Sequence, residues 1–326
     1  MSNQKVEFIK GIEEGVLIYP HGNKETCNKN MYEINPSIGC QFRCQYCNAY
    51  TQEEENEFKS VKVFLDYPQY LKGFLEEHKE ELDKIFFYFS PKVDAFQKCL
   101  LESGVTEQIL LLFKEYNVRY LIVTKSGIPN ENICKILNDT KEKNQILISC
   151  SMPNEEVRKI MEPDAAEIAK RLEFAKYCIE KSINVTAIFS PIFPVDNYDY
   201  IKKYIQFYLE IGITHFRLNF TEVSLYSLNK IIALLPQYKE DFLKVYLSDD
   251  TKNTNWNVPY KNIQLQRRFP SLKYMQEVFY SLKEYAKNID ERATFSICNS
   301  LCKENELCNF NSEAFEAGFG CIGYKW

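Results

Sequence analysis

The sequence predicts an α/β fold: a partial or complete (β/α) barrel followed by a C-terminal extension. Three observations predict it. Apolar runs rich in Ile, Val and Phe alternate with segments of helical periodicity from residue 68 to residue 220, as expected of parallel strands buried on both faces. After Glu222 that rhythm weakens. The stretch from Cys298 onward then holds four cysteines and little periodicity of either kind. A doubly wound open sheet is the competing architecture, and either one gathers ligands at the C-terminal ends of its strands.

Each element follows from its residues. MYEINPSI at 31–38 leads into Gly39 and a cysteine-rich loop, and QEEENE at 52–57 reads as solvated surface. An amphipathic helix is predicted over 68–82, a buried strand over IFFYFS at 85–90, a helix over 105–116 and a strand over VRYLIVTK at 118–125. A short helix over 130–138, a strand at 145–151, a helix over 164–181 and a strand at 183–191 continue the alternation. A helix over 198–211 and the strand ITHFRLNF at 213–220 complete it. Residues 225–245 are expected to give a helix and a strand, 248–262 a long polar loop and 272–288 a helix. The expected domains are a lead-in at 1–30, the barrel at 31–235 and the extension at 236–326.

Composition narrows the function classes. With 326 residues, 45 % of them hydrophobic, the chain can bury a large core without covalent staples. Only 11 Gly and 12 Pro exclude a fibrous or largely disordered chain. Lys and Arg number 40 against 45 Asp and Glu, a formal net charge of −5. That balance disfavours a protein held mainly to a phosphate backbone. The start, MSNQKVEFIKGIEEGV, lacks the basic-then-apolar layout of a signal peptide, and the apolar runs are too short to span a membrane. A cytoplasmic address is therefore expected, where clustered cysteines are metal ligands or reactive groups more often than disulfides.

Three of the twelve cysteines, Cys40, Cys44 and Cys47, stand in GCQFRCQYC with the spacing C-x₃-C-x₂-C. Such a loop can wrap a metal cluster, its thiolates holding three corners and leaving one for an outside ligand. The alternatives are a structural zinc site completed by a distant residue, or incidental loop cysteines; zinc sites more often show C-x₂-C pairs. No Gly-rich nucleotide signature accompanies the motif.

This spacing, with Tyr46 just before the third cysteine and a repeated β/α chain around it, resembles the radical S-adenosylmethionine (SAM) superfamily. The resemblance implies a barrel of the radical SAM type. It also implies a [4Fe–4S] cluster on Cys40, Cys44 and Cys47 whose fourth iron is chelated by S-adenosylmethionine. One electron, from a donor such as flavodoxin or ferredoxin, would then cleave the sulfonium to methionine and a 5′-deoxyadenosyl radical that abstracts hydrogen from substrate. Tyr46 matches the aromatic that packs near the adenine.

Within that superfamily the chain is most similar to the spore photoproduct lyase group. The features are YFSPKVDAFQ at 88–97, TKSG at 124–127, ISCSMPN at 148–154, MEPDAAEIAKRLEFAK at 161–176 and FSPIFP at 189–194. By this resemblance Ser90, Lys125 and Ser151 would hold the polar ends of S-adenosylmethionine. A carboxylate at strand ends does want an ammonium and hydroxyl donors. The plainer readings are a solvent-facing lysine and ordinary turn hydroxyls. Glu162 and Arg171 would contact the ribose or brace one another. Arg217 and Asn219 alternate in FRLNF, so they share one face of a strand; facing inward they need a polar partner, and a ligand is one such partner. Two departures matter. Tyr88 stands where the lyases place a hydrogen-donating cysteine, and Asn48 where they place a tyrosine. A divergent relative with another substrate is expected.

Cys298, Cys302, Cys308 and Cys321 give C-x₃-C-x₅-C-x₁₂-C. Four thiolates could close a second [4Fe–4S] cluster or hold tetrahedral zinc; free or oxidised cysteines are the remaining reading. Cys150 reads as core or as an interior hydrogen donor. The expected substrate is a peptide, with a small metabolite or a nucleoside as alternatives. Nucleic-acid repair and a zinc-bound scaffold protein are the competing classes.

Overall fold

The computed structural model describes residues 4–20, 30–47, 60–251, 253–258, 263–297 and 312–317. Its strands are β1 (Lys5–Ile9), β2 (Tyr19–Pro20), β3 (Met31–Ile34), β4 (Ser37–Ile38), β5 (Ser60–Phe64), β6 (Phe86–Phe89), β7 (Arg119–Thr124), β8 (Asn144–Ser149), β9 (Val185–Phe189), β10 (His215–Leu218), β11 (Asn253–Val258), β12 (Ile263–Arg268) and β13 (Thr294–Ile297). The helices are α1 (Tyr67–Glu77), α2 (Lys98–Glu102), α3 (Val105–Glu115), α4 (Glu131–Asp139), α5 (Glu155–Met161), α6 (Ile168–Glu180), α7 (Asp199–Glu210), α8 (Leu225–Leu234), α9 (Lys239–Tyr246), α10 (Leu272–Ile289) and α11 (Ser312–Glu316). They fall into two units: Met1–Arg43, Glu54–Ile148 and Ala169–Val185 form one, and Cys44–Glu53, Ser149–Ile168 and Thr186–Trp326 the other.

In the first unit β3, β6, β7 and β8 are consecutive parallel neighbours, with β2 antiparallel on β3. Alternation decides which way each side chain points. Tyr32, Phe87 and Tyr120 share one register row and meet helices. Phe87 stacks on Phe113 of α3 at 5.2 Å, Phe113 stacks on Tyr120 at 4.7 Å, and Tyr32 meets Phe74 of α1 edge to face at 5.1 Å. The next row, Glu33, Tyr88, Leu121 and Gln145, therefore faces away from these helices. Three of its four residues are polar or carry a hydroxyl, and all are buried. A separate sheet pairs β5 with β1 in parallel and with β4 in antiparallel fashion.

In the second unit β9, β10 and β13 run parallel. The same alternation sorts their faces. Phe216 and Phe295 lie together at 5.2 Å, with Phe279 of α10 against Phe295. Ile188, Arg217 and Ser296 form the row pointing the other way. Local chemistry starts the helices: the side chains of Asn130, Asn154, Ser224 and Ser271 cap α4, α5, α8 and α10 by accepting a backbone N–H three residues on.

The expected strands and helices between 68 and 220 are present, with one local correction there and two further along the chain. The helix expected over 164–181 begins at Ile168 and is preceded by a separate helix, α5, because Asn154 supplies a cap that opens one at Glu155. The helix and strand expected over 225–245 are two helices, α8 and α9, parted at Pro236, whose missing N–H ends the first. The polar loop expected over 248–262 holds β11, paired antiparallel with β12 from Asn253↔Arg268 to Val258↔Ile263. Asn alternating with Thr, Trp and Val is a period-two pattern that polarity disguised. Asn48, the acidic run at 52–57 and the four C-terminal cysteines lie outside the described residues.

Candidate functional site

The cysteine loop begins where the backbone admits only glycine. Gly39 sits at φ +95°, and a Cβ there would meet the Ser60 carbonyl oxygen at 2.6 Å. The chain then passes through Cys40, Cys44 and Cys47, all half-buried. Among the described residues no three Cys, His, Asp or Glu side chains gather around a point that a single metal ion would fill. A four-iron cluster asks for a wider arrangement, since each thiolate binds a different iron.

In the first unit, the segment after β6 organises the strand ends. Ser90 is buried at φ +60°, its N–H donates to Ile34 O (2.7 Å), and its hydroxyl has no hydrogen-bond partner among the described residues. Asp94, four residues on, accepts from Phe96 N–H (2.9 Å), from the Thr124 hydroxyl (3.0 Å) and from Lys125 N–H (2.8 Å). Burial holds the Asp94 carboxyl above the ordinary range, opposed by those hydrogen bonds and by the Lys125 charge. Asp94 thus fixes the end of β7, from which the half-buried Lys125 projects. Beside it Lys92 lies 4.6 Å over the Tyr19 ring and 3.9 Å from Glu33, and Tyr19 donates its hydroxyl to Glu33. Burial lowers the Lys92 ammonium, against the pull of Glu33. Arg171, on α6, is fully buried.

In the second unit, the loop Cys44–Cys47 is sewn to the segment that follows α5. Cys47 N–H bonds to Cys44 O (3.0 Å), and Gln45 N–H bonds to Met161 O (2.8 Å). The Tyr46 hydroxyl donates to the carboxylate of the fully buried Glu162, and its ring meets Phe193 edge to face at 5.4 Å. Arg158 holds this stretch by donating to the carbonyls of Glu162 (2.9 Å) and Ala165 (3.0 Å) while pairing with Glu155 (2.7 Å). Ser151 is fully buried, and its hydroxyl has no partner among the described residues. Asn219 donates to the Ser190 hydroxyl (2.9 Å), and Arg217 is buried on the strand face turned away from α10.

The structure therefore brings Tyr46 to Glu162 and leaves two serine hydroxyls, at the ends of β6 and β8, orphaned. Each of those hydroxyls is an atom that a polar ligand would satisfy, so the residues within each unit fit a charged, hydrogen-bonding group. Sequence reasoning missed Asp94, whose carboxylate holds the backbone N–H of Lys125 on the next strand, and Arg158, whose guanidinium holds the carbonyls of Glu162 and Ala165. For Asp94 the signal was its place inside the quoted 88–97 segment. Cys150 is fully buried beside Ile188, to whose carbonyl its N–H donates.

A family model described as the radical SAM superfamily matches residues 34–208, from the end of β3 into α7. This chain belongs to the radical SAM superfamily. Its mixed α/β fold with parallel strands agrees, as do solved structures of similar fold. A spore photoproduct lyase complexed with dinucleoside spore photoproduct aligns with a TM-score of 0.61 and 15 % identity over 89 % of this chain and 82 % of that one. A variant of that lyase with bound AdoMet and the dinucleoside gives 0.59 and 16 % over 88 % and 81 %. No curated protein matches the sequence. As a radical SAM protein the chain is an enzyme of a superfamily that cleaves S-adenosylmethionine by a radical mechanism.

Proposed function

We propose that this radical SAM enzyme abstracts hydrogen from a peptide substrate, with Cys40, Cys44 and Cys47 as ligands of the [4Fe–4S] cluster. What supports the reading is that the same chain carries that motif and two buried serine hydroxyls that lack partners among the described residues. When bound, a cluster held by Cys40, Cys44 and Cys47 would supply the single electron that reductive cleavage of S-adenosylmethionine needs.

The chain's own residues bind, orient and exclude water. Lys125, Ser90 and Ser151 hold the carboxylate and amino end of S-adenosylmethionine, since a carboxylate gains most from an ammonium and hydroxyl donors in a dry site. Tyr46, backed by Glu162, packs beside the adenine. Glu162 and Arg171 serve the ribose side, and Arg217 and Asn219 offer polar contacts from β10 and its end. The apolar packing around them keeps water from a reactive radical. The catalytic domain is proposed to span 31–235. Cys298, Cys302, Cys308 and Cys321 of the 236–326 extension are proposed to hold a second [4Fe–4S] cluster. The electron donor is proposed to be a flavodoxin or ferredoxin, and the address cytoplasmic.

The test is anaerobic. Iron-replete protein given S-adenosylmethionine and dithionite should form 5′-deoxyadenosine, and Cys44→Ala should form none. An iron-replete wild type that makes no 5′-deoxyadenosine overturns the assignment. Two clusters should give about eight irons per chain and one about four. A short precursor-peptide gene beside this one would name the substrate. Deuterium passing from that labelled peptide into 5′-deoxyadenosine would establish the abstraction.

A further inference from the structure

The fully buried Gln97 side chain spans two backbone segments. Its Oε1 accepts from Gln41 N–H at 2.9 Å, and its Nε2 donates to the Ser37 hydroxyl at 3.0 Å. Gln41 answers from the other side, its Oε1 accepting Cys99 N–H at 2.6 Å. Each glutamine thus takes a backbone N–H from the other's segment. Ser37 in turn donates to Gly39 O at 3.3 Å, so the residues on both sides of Cys40 are tied to one buried amide. The same short segment carries Asp94, which fixes Thr124 and Lys125 through a carboxylate only three residues from Gln97.

A buried amide whose hydrogen bonds all serve one loop has a plain use. It removes conformational freedom from the loop before any ligand binds, so less entropy is lost on binding. Groups behind metal ligands act in this way, and losing one weakens metal binding by about 10–100-fold.

We propose that Gln97 and Gln41 are positioning residues that lock the Cys40 end of the cluster-binding loop, coupling it through the 90–97 segment to the Lys125 end of β7. This rests on the reading that Cys40, Cys44 and Cys47 bind the cluster. Gln97→Met keeps the volume and removes both of the hydrogen bonds described for its side chain. Thr106→Val is the structural control: the hydrogen bond described for the Thr106 hydroxyl goes to Ala95 O (2.6 Å) in the same segment and not to the cysteine loop.

The readouts are iron and sulfide per chain after reconstitution, the rate at which a ferrous chelator strips the cluster, and the melting temperature of the apo-protein. Gln97→Met should lose iron about ten-fold faster than wild type or more, whereas Thr106→Val should lower the melting temperature without changing that rate. Gln41→Met, at a half-buried position, should show the same direction and stands in if Gln97→Met does not fold. A Gln97→Met cluster as durable as that of wild type or Thr106→Val overturns the lock alone. A wild type that takes up no iron overturns the cluster reading and the lock with it.

Discussion

At the scale of single residues, the informative atoms are those with nothing to bond to. A buried hydroxyl without a partner costs about 1–3 kcal/mol, yet Ser90 and Ser151 each keep one, and Ser90 does so at a positive φ. A chain selected for stability alone would have alanine or glycine there. Ser151→Ala should therefore leave the melting temperature unchanged or raise it. It should also weaken S-adenosylmethionine binding about ten-fold or more, because a hydrogen bond to a charged group contributes about 1.5–3 kcal/mol. Calorimetric titration alongside thermal melting reads both effects. Unchanged affinity would remove Ser151 from the cofactor site.

At the scale of elements, the two faces of the strands divide the work. In the first unit the strand face packed on α1 and α3 is aromatic and the opposite row carries Glu33, Tyr88 and Gln145; in the second the face packed on α10 is aromatic and the opposite face carries Arg217 and Ser296. His215 belongs to that second face. Its ring nitrogens meet the hydroxyls of Thr294 (2.9 Å) and Ser296 (3.0 Å) across the β10–β13 pair. Burial, with the nearby Arg217 charge, pushes its pKa down to about 3. The unfolded chain takes up this proton near pH 6.5, whereas the folded chain resists it to about pH 3. His215 therefore contributes its full stability above pH 6.5, and that contribution falls as the pH drops from 6.5 toward 3. Between pH 6.5 and 5 the loss is on the order of 2 kcal/mol. Denaturant melts across that window should show it, and His215→Gln should flatten the slope. An equal slope in the variant would place the acid sensitivity elsewhere.

At the scale of the whole molecule, the fold and the charge point in different directions. The fold likeness extends over 89 % of the chain to a lyase bound to a dinucleoside photoproduct, but at 15 % identity it speaks for architecture alone. A net charge of −5 offers no general attraction to a phosphate backbone. Among the described residues no helix is long and apolar enough to cross a membrane. The expected outcome is that duplex DNA is not retained at physiological salt, with any dissociation constant weaker than about 10⁻⁴ M. Electrophoretic mobility shift measures it directly. Micromolar binding would return nucleic acid to the substrate classes.

The order of strands and helices from 68 to 220 was legible because burial imposes a period on the residues, and period is a local property. The cysteine triplet was legible for a related reason: its three members lie close together along the chain. The hairpin of β11 and β12 was not, since a strand made largely of asparagine reads as a loop until a partner strand supplies its hydrogen bonds. Nor were the roles of Gln97, Asp94 and Arg158. Each side chain bonds to backbone groups, and a backbone N–H or carbonyl looks the same at every position of a sequence. Which loop Gln97 holds, that Tyr46 bonds to Glu162 across 116 residues, and that two serines keep unpartnered hydroxyls were decided by tertiary packing, which alone determines who meets whom when water is excluded.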